Sequence, residues 1–339
     1  MESIQRDARF DNFKGLLIFL VVFGHFIQEI YGFKDENEYI RIVYSFIYLF
    51  HMPAFVFISG YFTKRNDERV FEKVLKQQII PLGIFQVLYE IFNKLIFHGF
   101  TGATYLFAPY WMLWYLLSLA SWRILFQLMN NLRFDFFISI VLALSVGFVR
   151  TLGEPLSISR TIVFFPVFIL GNRCRENKFL KRLLYSCPPH MQMLKKLVAI
   201  VCLVIAFFYA ITMNIPVCSY YNMLSYKELG FSLQKGLIFR FVNLILAVLC
   251  IIAILSLIPS KNSFVSVIGR NSMIPFLLHG FLLKLLVIRR FSVYSNLYFV
   301  FIWGIGFSFL VVYLCGRDKI SALYNRTLDK LCSLLIKEI

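Results

Sequence analysis

Apolar stretches, most of them close to twenty residues long, recur along this chain and are separated by short polar or basic segments. An α-helix rises about 1.5 Å per residue, so roughly 20 such residues cross a ~30 Å hydrocarbon layer. The stretches fall at 13–31, 42–62, 79–97, 110–129, 134–150, 160–173, 195–213, 236–259, 264–287 and 293–315. Composition agrees: 59% of the residues are hydrophobic and 16% charged, where soluble domains carry about 25% charged residues. One water-soluble core cannot hide that much apolar surface, so the bilayer has to serve as part of the solvent. The expected fold is all-α, a polytopic integral membrane protein with about ten transmembrane helices in a single membrane-embedded domain, 1–339.

The formal charge of +17 would suggest nucleic acid in a soluble protein. Here the basic residues cluster between apolar runs, as the positive-inside rule requires, so membrane lipids are the expected partner and nucleic acid is not. Arg6, Arg9 and Lys14 precede the first run. Lys64, Arg65, Arg69, Lys73 and Lys76 follow the second, and Arg173, Arg175, Lys178, Lys181 and Arg182 follow the sixth. With ten spans these segments and the tail all lie on the cytoplasmic side, with Arg289 and Arg290 as the main exception. Both termini are then cytoplasmic, and an uncleaved first span is expected because no small-residue cleavage site follows it. The longest loop on the other side, about 214–235, is rich in Tyr and Asn and is placed to cover an outer mouth. The seven cysteines, Cys187 among them, show no metal-ligand spacing, and no metal is expected.

Polar groups at membrane depth are costly and mark function. His25, His51 and His279 each sit near the middle of a run. Lys14 and His25 are eleven residues apart, close to three turns, so they share a face about 16 Å apart along the axis. Asp11 lies one turn before Lys14, and Glu29 one turn after His25, placed to orient its imidazole. The alternative is a hydrogen-bonded buried histidine with snorkelling ends; the same-face lysine and glutamate and two further mid-depth histidines favour function. His51 sits beside Pro53. Ser272 and His279 are seven residues apart with Pro275 between. Gln86 and Glu90 lie in the third run, Glu90 as a histidine partner or a structural hydrogen bond. Trp111, Trp114 and Trp122 read first as interfacial anchors, and Arg160 as an anchor or a contact to an anionic or sugar ligand.

The stretch Arg9-Phe10-Asp11-Asn12-Phe13-Lys14-Gly15, running on to Gly24-His25, resembles the first-helix motif of the membrane acyltransferase 3 family, in its fucose 4-O-acetylase-like branch. Phe50-His51-Met52-Pro53 through Ser59-Gly60-Tyr61 resembles the family's second-helix signature, and Trp114-Tyr115-Leu116-Leu117 its Trp-Phe-Leu segment. Arg160 with Phe164-Phe165-Pro166 and Gly171-Asn172 is similar to the sixth-helix pattern, and Gly269-Arg270-Asn271-Ser272 through His279 to the late Ser-to-His segment. One departure is a lysine pair, Lys73 and Lys76, ahead of Pro81 where many members carry arginines. Lysine meets phosphate as a point charge without the guanidinium fork.

This resemblance implies a membrane O-acyltransferase, most often an O-acetyltransferase. It would move an acetyl group from cytoplasmic acetyl-CoA, a co-substrate, to a hydroxyl of a cell-surface or exported polysaccharide or lipid-linked saccharide. The setting would be the bacterial cytoplasmic membrane. Lys14, Arg65, Lys73 and Lys76 would meet the CoA phosphates. His25 would act as general base or carry the acyl group, with Glu29, His51, His279 and Ser272 around it. Trp114, Arg160 and Glu90 would meet the acceptor. A polysaccharide exporter or small-molecule transporter is the alternative, since mid-depth polar residues also line translocation paths. Oligomeric state is left open by the sequence.

Overall fold

A computed structural model describes residues 7–31, 37–97, 108–153, 155–186, 188–288 and 297–335, and all regular structure among them is helical. Cys187, Arg289, Arg290 and most of the 98–110 loop lie outside the described residues. The helices are α1 (Ala8–Tyr31), α2 (Glu38–Phe62), α3 (Val70–Val74), α4 (Ile80–Phe97), α5 (Trp114–Leu128), α6 (Asp135–Ser145), α7 (Ile158–Glu176), α8 (Phe179–Tyr185), α9 (Pro189–Thr212), α10 (Leu233–Leu257), α11 (Phe264–Arg270), α12 (Met273–Ile288), α13 (Leu297–Cys315) and α14 (Asp318–Leu335).

A helix lies at each of the ten apolar segments, with two departures. The ninth segment is broken into α11 and α12 at Asn271–Ser272, and the third begins earlier than its apolar run. Among the described residues five helices are long and apolar enough to cross a membrane: Ala8–Glu29, Glu38–Phe62, Val70–Ile96, Pro189–Thr212 and Leu233–Leu257. A sixth arises if α13 and α14, bent by 57°, count as one broken span. Inside Val70–Ile96, one wide turn at Leu75–Ile79 precedes Pro81. Proline has no N–H to return to the preceding turn, and a π-type turn absorbs the mismatch.

The chain forms two compact units, with α2 passing from one to the other after His51. The first comprises Met1–His51, Leu183–Met213 and Leu249–Ile339. Its centre is α1, which packs on α11, α12 and α13. A Cβ at Gly269 would stand 1.7 Å from the Asp11 carbonyl oxygen, and one at Gly15 2.3 Å from that of Val265. This reciprocal glycine contact brings the α1 and α11 backbones together, the usual device of membrane helices that lack a hydrophobic driving force. Asn12 extends the seam. Its amide donates to the Pro259 and Lys261 carbonyls, both at 2.9 Å, and its Oδ1 accepts from Ser263 Oγ at 2.6 Å. Ser263 in turn caps α11 in a reciprocal box with Ser266. At the α11–α12 break, the Asn271 amide donates to the Gly316 carbonyl at 2.9 Å and to Asp318 at 2.8 Å. Pro275 sits in the first turn of α12, where a missing N–H costs nothing.

The second unit comprises Met52–Arg182 and Asn214–Val248. It repeats the glycine device: a Cβ at Gly60 would stand 1.9 Å from the Phe168 carbonyl oxygen, and one at Gly171 2.1 Å from that of Phe57, so α2 and α7 cross closely. Trp122 of α5 is fully buried and donates from its indole to the Thr161 carbonyl at 2.7 Å. In the segment before α10, the Tyr226 ring fills the space left by Gly147 and Gly236 and its hydroxyl donates to the Leu144 carbonyl.

Gly269→Leu and Gly171→Leu each push a side chain into a facing backbone, so each is expected to lower the thermal unfolding midpoint of the detergent-solubilised protein sharply, by ~3 kcal/mol or more in stability. Gly83→Ala and Gly306→Ala, where nothing lies within 4 Å, are expected to leave it unchanged or slightly raised. Equal behaviour of the two pairs in a thermal melt contradicts the close-approach account.

Candidate active site

Within the first unit, His25 of α1 and His279 of α12 are bonded ring to ring. His25 Nδ1 and His279 Nε2 are 2.8 Å apart, and the rings lie nearly parallel with centroids 5.1 Å apart. The other nitrogen of His279, Nδ1, is 2.8 Å from the Pro275 carbonyl oxygen. A carbonyl only accepts, so Nδ1 of His279 carries a proton and donates it. The neutral His279 ring then accepts at Nε2, and His25 must donate from Nδ1. This chain of two bonds fixes the His25 tautomer and leaves Nε2 as its basic nitrogen. His279 is 0% exposed, whereas His25 keeps part of its surface accessible. Of the two rings, His25 is the one a reactant can reach.

His51 of α2 shows the same local device. Its Nδ1 donates to the Ile47 carbonyl at 2.8 Å, four residues back, and the ring is 2% exposed. The Tyr48 ring meets it edge-on at 4.5 Å, and Tyr48 stacks on Tyr44 at 3.9 Å. Tyr44 donates its hydroxyl to Gln28 of α1 at 3.2 Å. Gly24 lets the Tyr48 ring close on α1 beside His25; a Cβ there would be 2.9 Å from that ring.

One turn beyond His25, Glu29 receives the Lys284 ammonium on both oxygens at 3.0 Å. Sequence reasoning paired Glu29 with the imidazole. The structure gives the carboxylate to a lysine and sets a second histidine to orient the ring. Lys284 and His279 both sit on α12 and Glu29 and His25 both on α1, so the ion pair forms a second rung parallel to the histidine rung. Lys284 escaped sequence reasoning, although a charged residue inside the 264–287 run was its signal. Ser272 lies in the turn before α12, seven residues or about 10 Å along the axis from His279. Its carbonyl accepts the Phe276 amide at 3.1 Å, so it stands at the start of the helix that carries the ring. Lys14 is held by Asp11 at 2.8 Å.

In the second unit, the Arg160 guanidinium lies 4.5 Å over the Trp114 ring, a cation–π pair. Trp114 is buried and also meets Phe164. Glu90 is half-buried on α4, one turn beyond Gln86, whose side-chain oxygen accepts the Tyr110 amide at 2.8 Å. Lys73 is bound by both oxygens of Asp67, at 2.8 and 2.6 Å, and Lys76 by Glu72 at 2.8 Å. The Lys73 ammonium holds the Asp67 carboxyl below the ordinary carboxylate range. That pair contributes at neutral pH and is lost as pH falls through the lowered value. Arg65 bonds Asp135 at 3.3 Å. Among the described residues no cluster of three or more His, Cys, Asp or Glu side chains is arranged to hold a metal ion.

The profile of the acyltransferase 3 family, described as an acyltransferase domain, matches residues 7–317. The chain belongs to that family. That membership supports an acyltransferase reading over the transporter alternative. Over 181 residues the chain is 31% identical to the nodulation protein NolL of Sinorhizobium fredii, covering 49% of this chain and 48% of the relative. A second nodulation protein NolL, from Mesorhizobium japonicum, is 26% identical over 182 residues, covering 49% and 47%. The matched part spans about half the length of these curated relatives. No solved structure matches the chain.

The ion-pair rung has a measurable signature. Lys284→Met leaves the Glu29 carboxylate without its counter-charge and is expected to destabilise the protein. Adding Glu29→Gln to Lys284→Met is expected to recover most of the loss, with a coupling of ~1–3 kcal/mol in a double-mutant cycle. Strictly additive losses would mean that the rung does not hold α1 to α12.

Proposed function

We propose that this protein is a membrane O-acetyltransferase that moves the acetyl group of acetyl-CoA to a hydroxyl of a cell-surface or exported polysaccharide, or of its lipid-linked precursor. The proposed setting is a bacterial cytoplasmic membrane, with ten spans and both termini cytoplasmic. One observation carries the reading: the two-bond chain from His25 Nδ1 through His279 to the Pro275 carbonyl. It presents the basic nitrogen of a partly accessible imidazole at mid-helix depth, with the tautomer locked from behind.

The chemistry follows from that nitrogen. His25 Nε2 takes the proton of the acceptor hydroxyl as its oxygen bonds to the thioester carbonyl carbon. The tetrahedral intermediate collapses with cleavage of the C–S bond, and the CoA sulfur leaves with the proton held by His25. His279 plays the positioning part here, as the orienting member of a catalytic pair does. It keeps Nδ1 of His25 engaged, so the lone pair stays at Nε2, and it supports the imidazolium while that form lasts. Lys14 lies about 16 Å from His25 along α1. A pantetheine arm has similar reach, so a donor whose phosphates meet Lys14 would bring its thioester to the imidazole. The Arg160–Trp114 pair in the second unit has the chemistry of a saccharide contact, an aromatic face beside a donor-rich cation.

His25→Ala is expected to lower acyl transfer by ~10²–10⁴-fold with normal membrane insertion. His279→Ala is expected to lower the turnover number more than it raises KM. Acetyl groups persisting on the surface polysaccharide of cells that express only the His25→Ala variant would remove His25 from the chemistry. Incubation with labelled acetyl-CoA and no acceptor separates the two roles of the ring: label retained on a His25 peptide means an acyl carrier, and no retained label means a general base.

A further inference from the structure

The second unit carries a cleft of about 440 Å³ where α2 ends, α6 begins and α7 ends. Its wall is almost wholly polar, with Arg65, Arg133, Arg173 and Asn131 facing Asp135 and Glu176. Asp135 is 2% exposed and binds two guanidiniums, those of Arg65 at 3.3 Å and of Arg173. Its Oδ1 also accepts the Phe136 amide at 2.7 Å. One buried carboxylate therefore fixes two arginines. Each of the three guanidiniums also rests on a ring: Arg65 on Phe126 at 5.4 Å, Arg173 on Phe136 at 5.2 Å, and Arg133 on Phe134 at 5.8 Å.

A cluster serving only to bury Asp135 would need no third arginine. Glu176 approaches Arg65, at 3.6 Å, while Arg133 has its ring contact and no carboxylate among the described residues. Three arginines against two acids leave the lining with a net charge of +1. Each guanidinium carries five N–H donors in a rigid plane, and one carboxylate and one ring use only part of them. Guanidiniums held in place before a ligand arrives match the oxygens of a phosphate group better than lysines on free stems. A second recess of about 120 Å³ in the same unit is lined by Lys64, Lys73 and Arg123 together with Asp67 and three further residues.

We propose that this cleft is a phosphate-binding site. Two molecules present that chemistry to a membrane enzyme: the phosphorylated nucleotide end of an acyl donor, and the headgroup of an anionic phospholipid. The nucleotide source rests on the acetyl-CoA donor proposed above, and the lipid source does not. Arg133 is exposed and its replacement leaves the Asp135 pairs intact, so it is the residue to change.

The test is calorimetric titration of 3′,5′-ADP into the full chain held in nanodiscs of neutral phosphatidylcholine and, separately, of phosphatidylglycerol. Wild-type protein is expected to bind 3′,5′-ADP in neutral discs. Arg133→Ala should weaken binding tenfold or more and Arg133→Lys by a smaller factor, with unchanged thermal melts. If 3′,5′-ADP does not bind but phosphatidylglycerol raises the melting midpoint of wild type and not of Arg133→Ala, the site stands with a lipid headgroup as its ligand. Binding of 3′,5′-ADP equal in wild type and Arg133→Ala, or no Arg133-dependent effect of either ligand, overturns the proposal. Acetyl transfer measured in the same preparations keeps the two ideas apart: full transfer without Arg133-dependent binding sinks the cleft alone, and Arg133-dependent binding without any transfer sinks the acetyltransferase reading alone.

Discussion

A histidine ring carries two nitrogens, and inside a bilayer an unsatisfied polar atom costs several kcal/mol. The bond between His25 and His279 answers that cost on two helices at once, and much of the first unit serves to keep it. The Gly15–Gly269 contact sets how closely α1 and α11 approach. Asn12 and Asn271 tie the two ends of α11 to their neighbours. The Glu29–Lys284 pair repeats the α1–α12 connection one turn on. Each contact joins segments far apart in sequence, so the register of the two imidazoles rests on several independent constraints rather than on their own hydrogen bond.

Much of this was legible in the sequence, and what was not has a common cause. Apolar runs gave the helix positions because the bilayer enforces length and hydropathy on each span separately. The shared face of Lys14, His25 and Glu29 was legible because helical periodicity is a property of one segment. Periodicity within a helix does not say which helix stands opposite. Glu29 therefore drew the nearest candidate, its own neighbour His25, while its actual partner lies 255 residues on. The break at Asn271–Ser272 was hidden for a related reason: hydropathy stays high across it, and a polar pair inside an apolar run looks like part of a face until Asn271 is seen bonding Gly316 and Asp318.

The excess of positive charge also divides once side chains are placed. Lys14, Lys73 and Lys76 sit against carboxylates close by in sequence, in pairs that fit the solvated fringe of a span and add little stability where exposed. Arg65, Arg160 and Arg173 of the second unit are held differently, each on an aromatic ring, and Arg65 and Arg173 also on the buried Asp135. Topology alone would be served equally by either residue type. A guanidinium held on a ring is pre-organised and loses less ordering entropy per hydrogen bond it makes, which suits a place where a shape has to be recognised.

The histidine chain ends at the Pro275 carbonyl, and a peptide oxygen does not keep a proton at neutral pH. A proton that arrives on His25 therefore has no onward carrier along this line. Proton pumps line up successive carboxylates and imidazoles so that charge moves through. Here the line is closed by a backbone group. If His25 cycles through its charged form as proposed, it does so with no conducting wire along this line behind the ring, which spares an energised membrane a proton leak there.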